Sequence, residues 1–135
     1  MQNNGWAYLG GAGGGWAIFD LTEKREMNTL VLMNGQKWPY CRLIIFRVTL
    51  KVDGEWINLT GLKVQEDPSA EIGGDGTVTL ASGIDVLHLD FNTVSNVQSI
   101  RLDVTKTDSP TNNVVLNEII PKFEHREDKL QNTLS

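Results

Sequence analysis

The stretch "CRLIIFRVTLKVDGEWINL", Cys41 to Leu59, decides how the rest of the chain is read. Its first half is dense in β-branched and aromatic residues, punctuated by Arg42, Arg47 and Lys51, which is the composition of a strand. Asp53-Gly54 then supplies two residues that accept the left-handed backbone of a tight two-residue turn, and Trp56-Ile57-Asn58-Leu59 returns. The stretch is therefore predicted to be an antiparallel hairpin.

Working upstream, "NTLVLMNGQ" from Asn28 reads as a strand closed by the turn former Asn34-Gly35. Between it and the hairpin lies Gln36-Lys37-Trp38-Pro39-Tyr40, where the proline has no N–H to give a ladder, so these residues form a connection. Further upstream, "WAIFDL" alternates: Trp16, Ile18 and Asp20 share one face of an extended chain, and Ala17, Phe19 and Leu21 the other. Downstream, "QEDPSAEIGGDG" at residues 65–76 is a loop, and "TVTLAS", "IDVLHLDFN", "VQSIRLDV" and "NVVLNEII" are four more strand-like runs. No amphipathic helix of three turns is found. Six to eight short strands with frequent turn signals predict an all-β antiparallel sandwich and not alternating βαβ units.

The 135 residues suit one domain with a sizeable core. Residues 1–124 are expected to form the sandwich, and 125–135, "HREDKLQNTLS", a polar tail or an arm that packs on a neighbour. A net charge of −5, from 17 acidic and 12 basic residues, argues against a nucleic-acid surface. No apolar run reaches the roughly 18 residues that a membrane helix needs, so no membrane insertion is expected. Met1 to Gly5 carry neither a basic segment nor an apolar stretch, so no secretory signal is visible. Cys41 is the single cysteine and forms no internal disulfide.

Catalytic readings find little support. The glycines at positions 10, 11, 13, 14 and 15 lack a preceding strand, a following helix and a closing Lys-Ser/Thr, so they are read as a loop entering a sheet and not as a phosphate cradle. Asp85, His88, Asp90 and Asp103 fall on or near predicted strands, but Asp85-x-x-His88 has no partner at zinc-ligand spacing and no serine-nucleophile motif exists. His88 alternates with Leu87, Leu89 and Phe91 and is expected on the outer face. Asn58-Leu59-Thr60 matches the glycosylation sequon, read as accidental without a secretory signal.

The order of features resembles the discoidin, or coagulation-factor type C, domains and the related galactose-binding-like carbohydrate-binding modules. The resemblance rests on Trp16-x-x-x-Asp20-Leu21, Asp53-Gly54-Glu55-Trp56, Ile100-Arg101-Leu102 and Asn117-Glu118-Ile119, and covers about residues 6–124. It implies a jelly-roll sandwich whose loops at one end recognise a ligand without catalysis, with Trp16 packed in the core and Arg101 structural. It also makes Glu118 a candidate calcium ligand, although only Met1 to Gly5 precede Trp6, where relatives carry a calcium loop. No other cofactor is expected.

Sugars are held by an aromatic face against the C–H face of the ring, framed by planar hydrogen-bonding side chains. Trp38 and Tyr40 suit the first task, and Gln36, Lys37 and Arg42 the second; Trp6 and Tyr8 form another aromatic pair beside the glycine run. The expected partner is a glycan or surface polysaccharide, met on a virion or cell surface. The alternative is a structural subunit of a phage particle, whose termini clasp neighbouring subunits.

Overall fold

The computed structural model describes residues 7–8, 15–34, 42–108 and 115–125. The described chain is strand and turn throughout. The strands are β1 (Ala7–Tyr8), β2 (Gly15–Asn34), β3 (Leu43–Val52), β4 (Glu55–Asn58), β5 (Lys63–Val64), β6 (Glu71–Ile72), β7 (Thr77–Thr79), β8 (Val86–Thr107) and β9 (Val115–Lys122). All pairings are antiparallel.

Two long strands organise the molecule. The first half of β2 pairs with the second half of β8, from Gly15 opposite Val104 to Asp20 opposite Ser99; the second half of β2 pairs with the start of β8, from Thr29 opposite Asp90 to Met33 opposite Val86. Register shifts between Asp20 and Thr29 mark bulges where the strands bend, the usual way a strand passes from one layer of a sandwich to the other. In β8 the bend includes Asn96 at φ 58°, a left-handed conformation that asparagine tolerates.

One layer is thus β1, β9, the end of β2, the start of β8 and β5; the other is the start of β2, the end of β8 and β3, with β4 and β7-β6 beyond. Their inward side chains meet in one core. Leu30, Leu32, Leu87, Leu89 and Ile119 come from the first layer, and Phe19, Phe46, Val48, Leu50, Ile100, Leu102 and Val104 from the second. Each buried aliphatic or aromatic side chain contributes about 1.5–3 kcal/mol. This is the all-β antiparallel jelly-roll sandwich that the sequence predicts.

The hairpin is as expected. Asp53 and Gly54 have φ of 51° and 81°, the mirror-image turn that matches strand twist. Glu55–Asn58 pairs back on β3 in register, Val52 opposite Glu55 and Thr49 opposite Asn58. His88 also lies outside the core, between buried Leu87 and Leu89. There its backbone N–H and Nδ1 meet the carboxylate of Glu66.

Three details differ from the sequence reading. The stretches 16–21 and 28–33, read as two strands, are one strand, β2, and "IDVLHLDFN" and "VQSIRLDV" are likewise one strand, β8. The polar Thr22 to Glu26 look like a connection but keep an extended path, with all five side chains exposed on the outside of the bend. Short β5 and β6 also flank or interrupt the expected loop. Trp16 is not a core residue: it is 58% exposed. The reason is parity, because Phe19 faces inward and Trp16 is three residues away, on the opposite side of the pleat.

Candidate functional site

The strand ends define one pole of the sandwich. β2 finishes at Asn34, β3 begins at Leu43, and β8 both begins there at Val86 and ends there at Thr107. Leu116 of β9 lies between Asn34 and Ala7, and Tyr8 pairs with Val115. The chain therefore enters and leaves residues 35–41, the segment of Gln36, Lys37, Trp38 and Tyr40, at the pole where β1 also lies. Those four residues, with Trp6 and Cys41, lie outside the described residues, and Tyr8 is described only by its backbone in β1.

Asn34 fixes the stem of that segment. It is buried; its Nδ2 donates to the Ile84 carbonyl at 2.6 Å, its Oδ1 accepts from the Leu43 N–H at 3.3 Å, and its own N–H donates to the Asp85 carbonyl at 2.8 Å. One amide side chain thus ties the end of β2 to the start of β3 and to the loop before β8. In the sequence it signals only a turn.

Arg42 stands at the other stem. Its N–H donates to Asp108 Oδ1 at 2.7 Å and its Nε to Oδ2 at 2.8 Å, while the Asp108 N–H donates back to the Arg42 carbonyl at 2.9 Å. Nη1 reaches Asp85 Oδ1 at 3.3 Å. The hydrogen bond to Asp108, opposed by partial burial and assisted by the charges of Asp108 and Asp85, raises the guanidinium above its ordinary pKa, so the cation is permanent. The pair closes against Gly83, where an added Cβ would sit 2.5 Å from Asp108 Oδ2 and 2.7 Å from Arg42 Nε.

Beside this pair opens a cleft of about 350 Å³, lined by Arg42, Ile44, Ala81, Ser82, Gly83, Lys106, Thr107 and Asp108. Its size falls at the lower end of ordinary small-ligand sites. An ammonium, a guanidinium edge, a hydroxyl and a carboxylate around an isoleucine offer donors and acceptors for hydroxyl-rich ligands. Sequence reasoning names only Arg42 of this set; Asp108 sits 66 residues away with no local signal.

The acids and histidine considered for catalysis do not converge. Asp85 meets Arg42, Asp90 accepts from Thr29 and Gln65, Asp103 binds Arg101, and His88 pairs with Glu66. Glu118 is half-buried in β9 opposite Met33. Among the described residues no three His, Cys, Asp or Glu side chains converge on a metal position, whereas calcium takes six to eight oxygens. Also among the described residues, no helix is long and apolar enough to cross a membrane.

No protein-family model matches the sequence, and no curated protein matches it significantly. Solved structures do match the fold. A pectin-binding carbohydrate-binding module is 20% identical with a TM-score of 0.60, over 89% of this chain and 73% of its own. The CBM32 of AlyQ, in complex with 4,5-unsaturated mannuronic acid, is 15% identical with a TM-score of 0.59, over 88% and 78%. The F5/8 type C domain of a Bacteroides fragilis protein is 13% identical with a TM-score of 0.59, over 93% and 77%. The fold is that of the discoidin-like carbohydrate-binding modules. Against larger proteins the chain spans about a fifth of the length: 20% of SpGH29 and 19% of a putative α-L-fucosidase from Bacteroides ovatus.

Proposed function

We propose that the chain is a non-catalytic carbohydrate-recognition module that binds its glycan at the pole of Asn34, Arg42 and Asp108. Trp38 and Tyr40 supply the stacking surface, and Gln36, Lys37 and Arg42 the hydrogen bonds. Trp6 and Tyr8 are a second aromatic pair for the same ligand. The observation that carries this reading is the shared pole: the stem residues of the Trp38 segment and the strand of Tyr8 lie at the end where the Arg42 cleft opens. Its rigid footing supports it too, since Asn34 and Asp108 hold the two stems before any ligand arrives. The structural neighbours, a pectin-binding module and a module in complex with a mannuronic acid, favour glycan recognition over a phage-subunit role. A glycan partner also suits an encounter on a virion or cell surface.

The test is Trp38→Ala. Retention on a glycan array is expected to vanish while the thermal transition moves by no more than about 1–2 °C, as for a surface change of up to ~0.5 kcal/mol. Unchanged retention refutes the stacking role, and loss of folding shows Trp38 to be a core residue.

A further inference from the structure

The outer face of the second layer carries features that the polar site does not use. Along β2, Trp16, Ile18 and Asp20 point away from the core; along β8, Ser99, Arg101 and Asp103; along β3, Arg47, Thr49 and Lys51; along β4, Trp56 and Asn58. The register sets them in three rows. Trp16 is opposite Asp103 and then Arg47; Ile18 opposite Arg101, Thr49 and Asn58; Asp20 opposite Ser99, Lys51 and Trp56.

Three of the five exposed large hydrophobic side chains among the described residues sit on this one face: Trp16 at 58%, Ile18 at 41% and Trp56 at 38%. Each indole is pinned by a cation. The Arg101 guanidinium lies 4.7 Å from the Trp16 ring centre, and the Lys51 ammonium 5.8 Å from that of Trp56. Arg101 is itself held by Asp103 through Nε and Nη2 at 3.0–3.2 Å. Between the two tryptophans the small hydroxyl residues Thr49 and Ser99 are buried. Strand spacing and rise place the two indoles about 20 Å apart diagonally, a span of several sugar units.

The charges select the occupant. Arg101 is neutralised by Asp103, and Asp20 accepts from Ser99 Oγ at 2.7 Å. Arg47 donates through Nη2 to the neutral Asn58 Oδ1 at 3.0 Å and forms a long ion pair with Asp75 at 3.9 Å. Among the described residues, the buried Arg47 Nε has no hydrogen-bond partner and Lys51 has no carboxylate within ion-pair distance. A weakly paired arginine and a lysine with no ion-pair partner among the described residues thus lie beside two oriented indoles, and they complement a chain bearing anions at intervals.

We propose that this sheet face is a second ligand surface, which binds an extended anionic polysaccharide with sugar rings on Trp16 and Trp56 and carboxylates at Arg47 and Lys51. The inference goes beyond the polar site, and its test separates the two. Affinity electrophoresis of the full chain through polygalacturonate, and through its fully methyl-esterified form, compares charged with neutral polymer. Retardation is expected in the acidic polymer only, falling as salt is added, and persisting in the Trp38→Ala background. Trp16→Ala and the double variant Arg47→Gln/Lys51→Gln are each expected to weaken it about tenfold, as loss of an aromatic or charge-assisted contact does. The double variant removes charge without removing apolar area, so it carries the test if Trp16→Ala fails to fold. Equal retardation in the esterified polymer, no retardation at all, or retardation lost in Trp38→Ala and kept in both face variants would each overturn the proposal. The last of these outcomes leaves the polar site standing.

Discussion

Gly83→Ala tests the polar site at its tightest point. In an open position with ordinary backbone angles, glycine to alanine stabilises by about 0.4–1 kcal/mol, because the unfolded chain loses freedom. Here the new Cβ would lie 2.5 Å from Asp108 Oδ2, 2.7 Å from Arg42 Nε and 2.8 Å from Arg42 Cβ. Side-chain tips can swing aside, but a Cβ is fixed to its backbone, so the main chain at Gly83 or Arg42 has to move. That movement strains or breaks the two hydrogen bonds that Asp108 accepts from Arg42. Bonds to charged groups contribute about 1.5–3 kcal/mol each when buried, and these are discounted to about 1 kcal/mol each because the side chains are 27% and 20% exposed. Set against the entropic gain, the net cost is about 1–2 kcal/mol, or about 3–8 °C in Tm for a chain of this size. Calorimetry of Gly83→Ala, Asp108→Asn and the double variant reads it. The double variant is expected to be less destabilised than the sum of the singles, because both act on one pair. A Gly83→Ala protein as stable as the parent or more so, with additive effects in the cycle, would refute the reasoning.

Two further outcomes are expected. Asn28 is buried and uses both ends of its amide on Glu124, donating Nδ2 to the carbonyl and accepting the N–H on Oδ1, each at 2.8 Å; Asn28→Ala is expected to cost about 2–3 kcal/mol in urea unfolding, for two orphaned backbone groups, and a change under about 0.5 kcal/mol counts against the bridge. Asp67 is held below its ordinary pKa by the Ala81 N–H and the Ser69 hydroxyl. A depressed folded-state value means stability that is present above the unfolded aspartate range and lost as pH falls through the folded value. Asp67→Asn should therefore flatten the acid limb of the Tm profile below about pH 4, and an unaltered slope would speak against it.

The strands were legible because their chemistry is local: alternation in 16–21 and 84–92 and the Asp53-Gly54 turn each depend on neighbouring residues only. The bend of β2 through Thr22 to Glu26 was not, because exposed polar residues on an extended corner look like those of a loop. Trp16 shows two signals in conflict, the alternation placing it opposite Phe19 and the family likeness placing it in the core, and parity prevailed. Arg42 was legible as a polar group beside aromatics. Its partners Asp85 and Asp108 were not, since nothing local marks residues that meet it across 43 and 66 positions. Trp38, Tyr40, Gln36, Lys37 and Trp6 stand on sequence reasoning, beyond the described residues.

The two long strands that run through both layers leave the sandwich without a natural seam. Each layer borrows its central ribbon from the same two stretches of backbone, so neither half can be cut out as a smaller folding unit. Damage near the corners at residues 20–29 or 90–97 is felt by both layers at once, and the pole of Asn34 and Arg42 inherits its rigidity from this continuity.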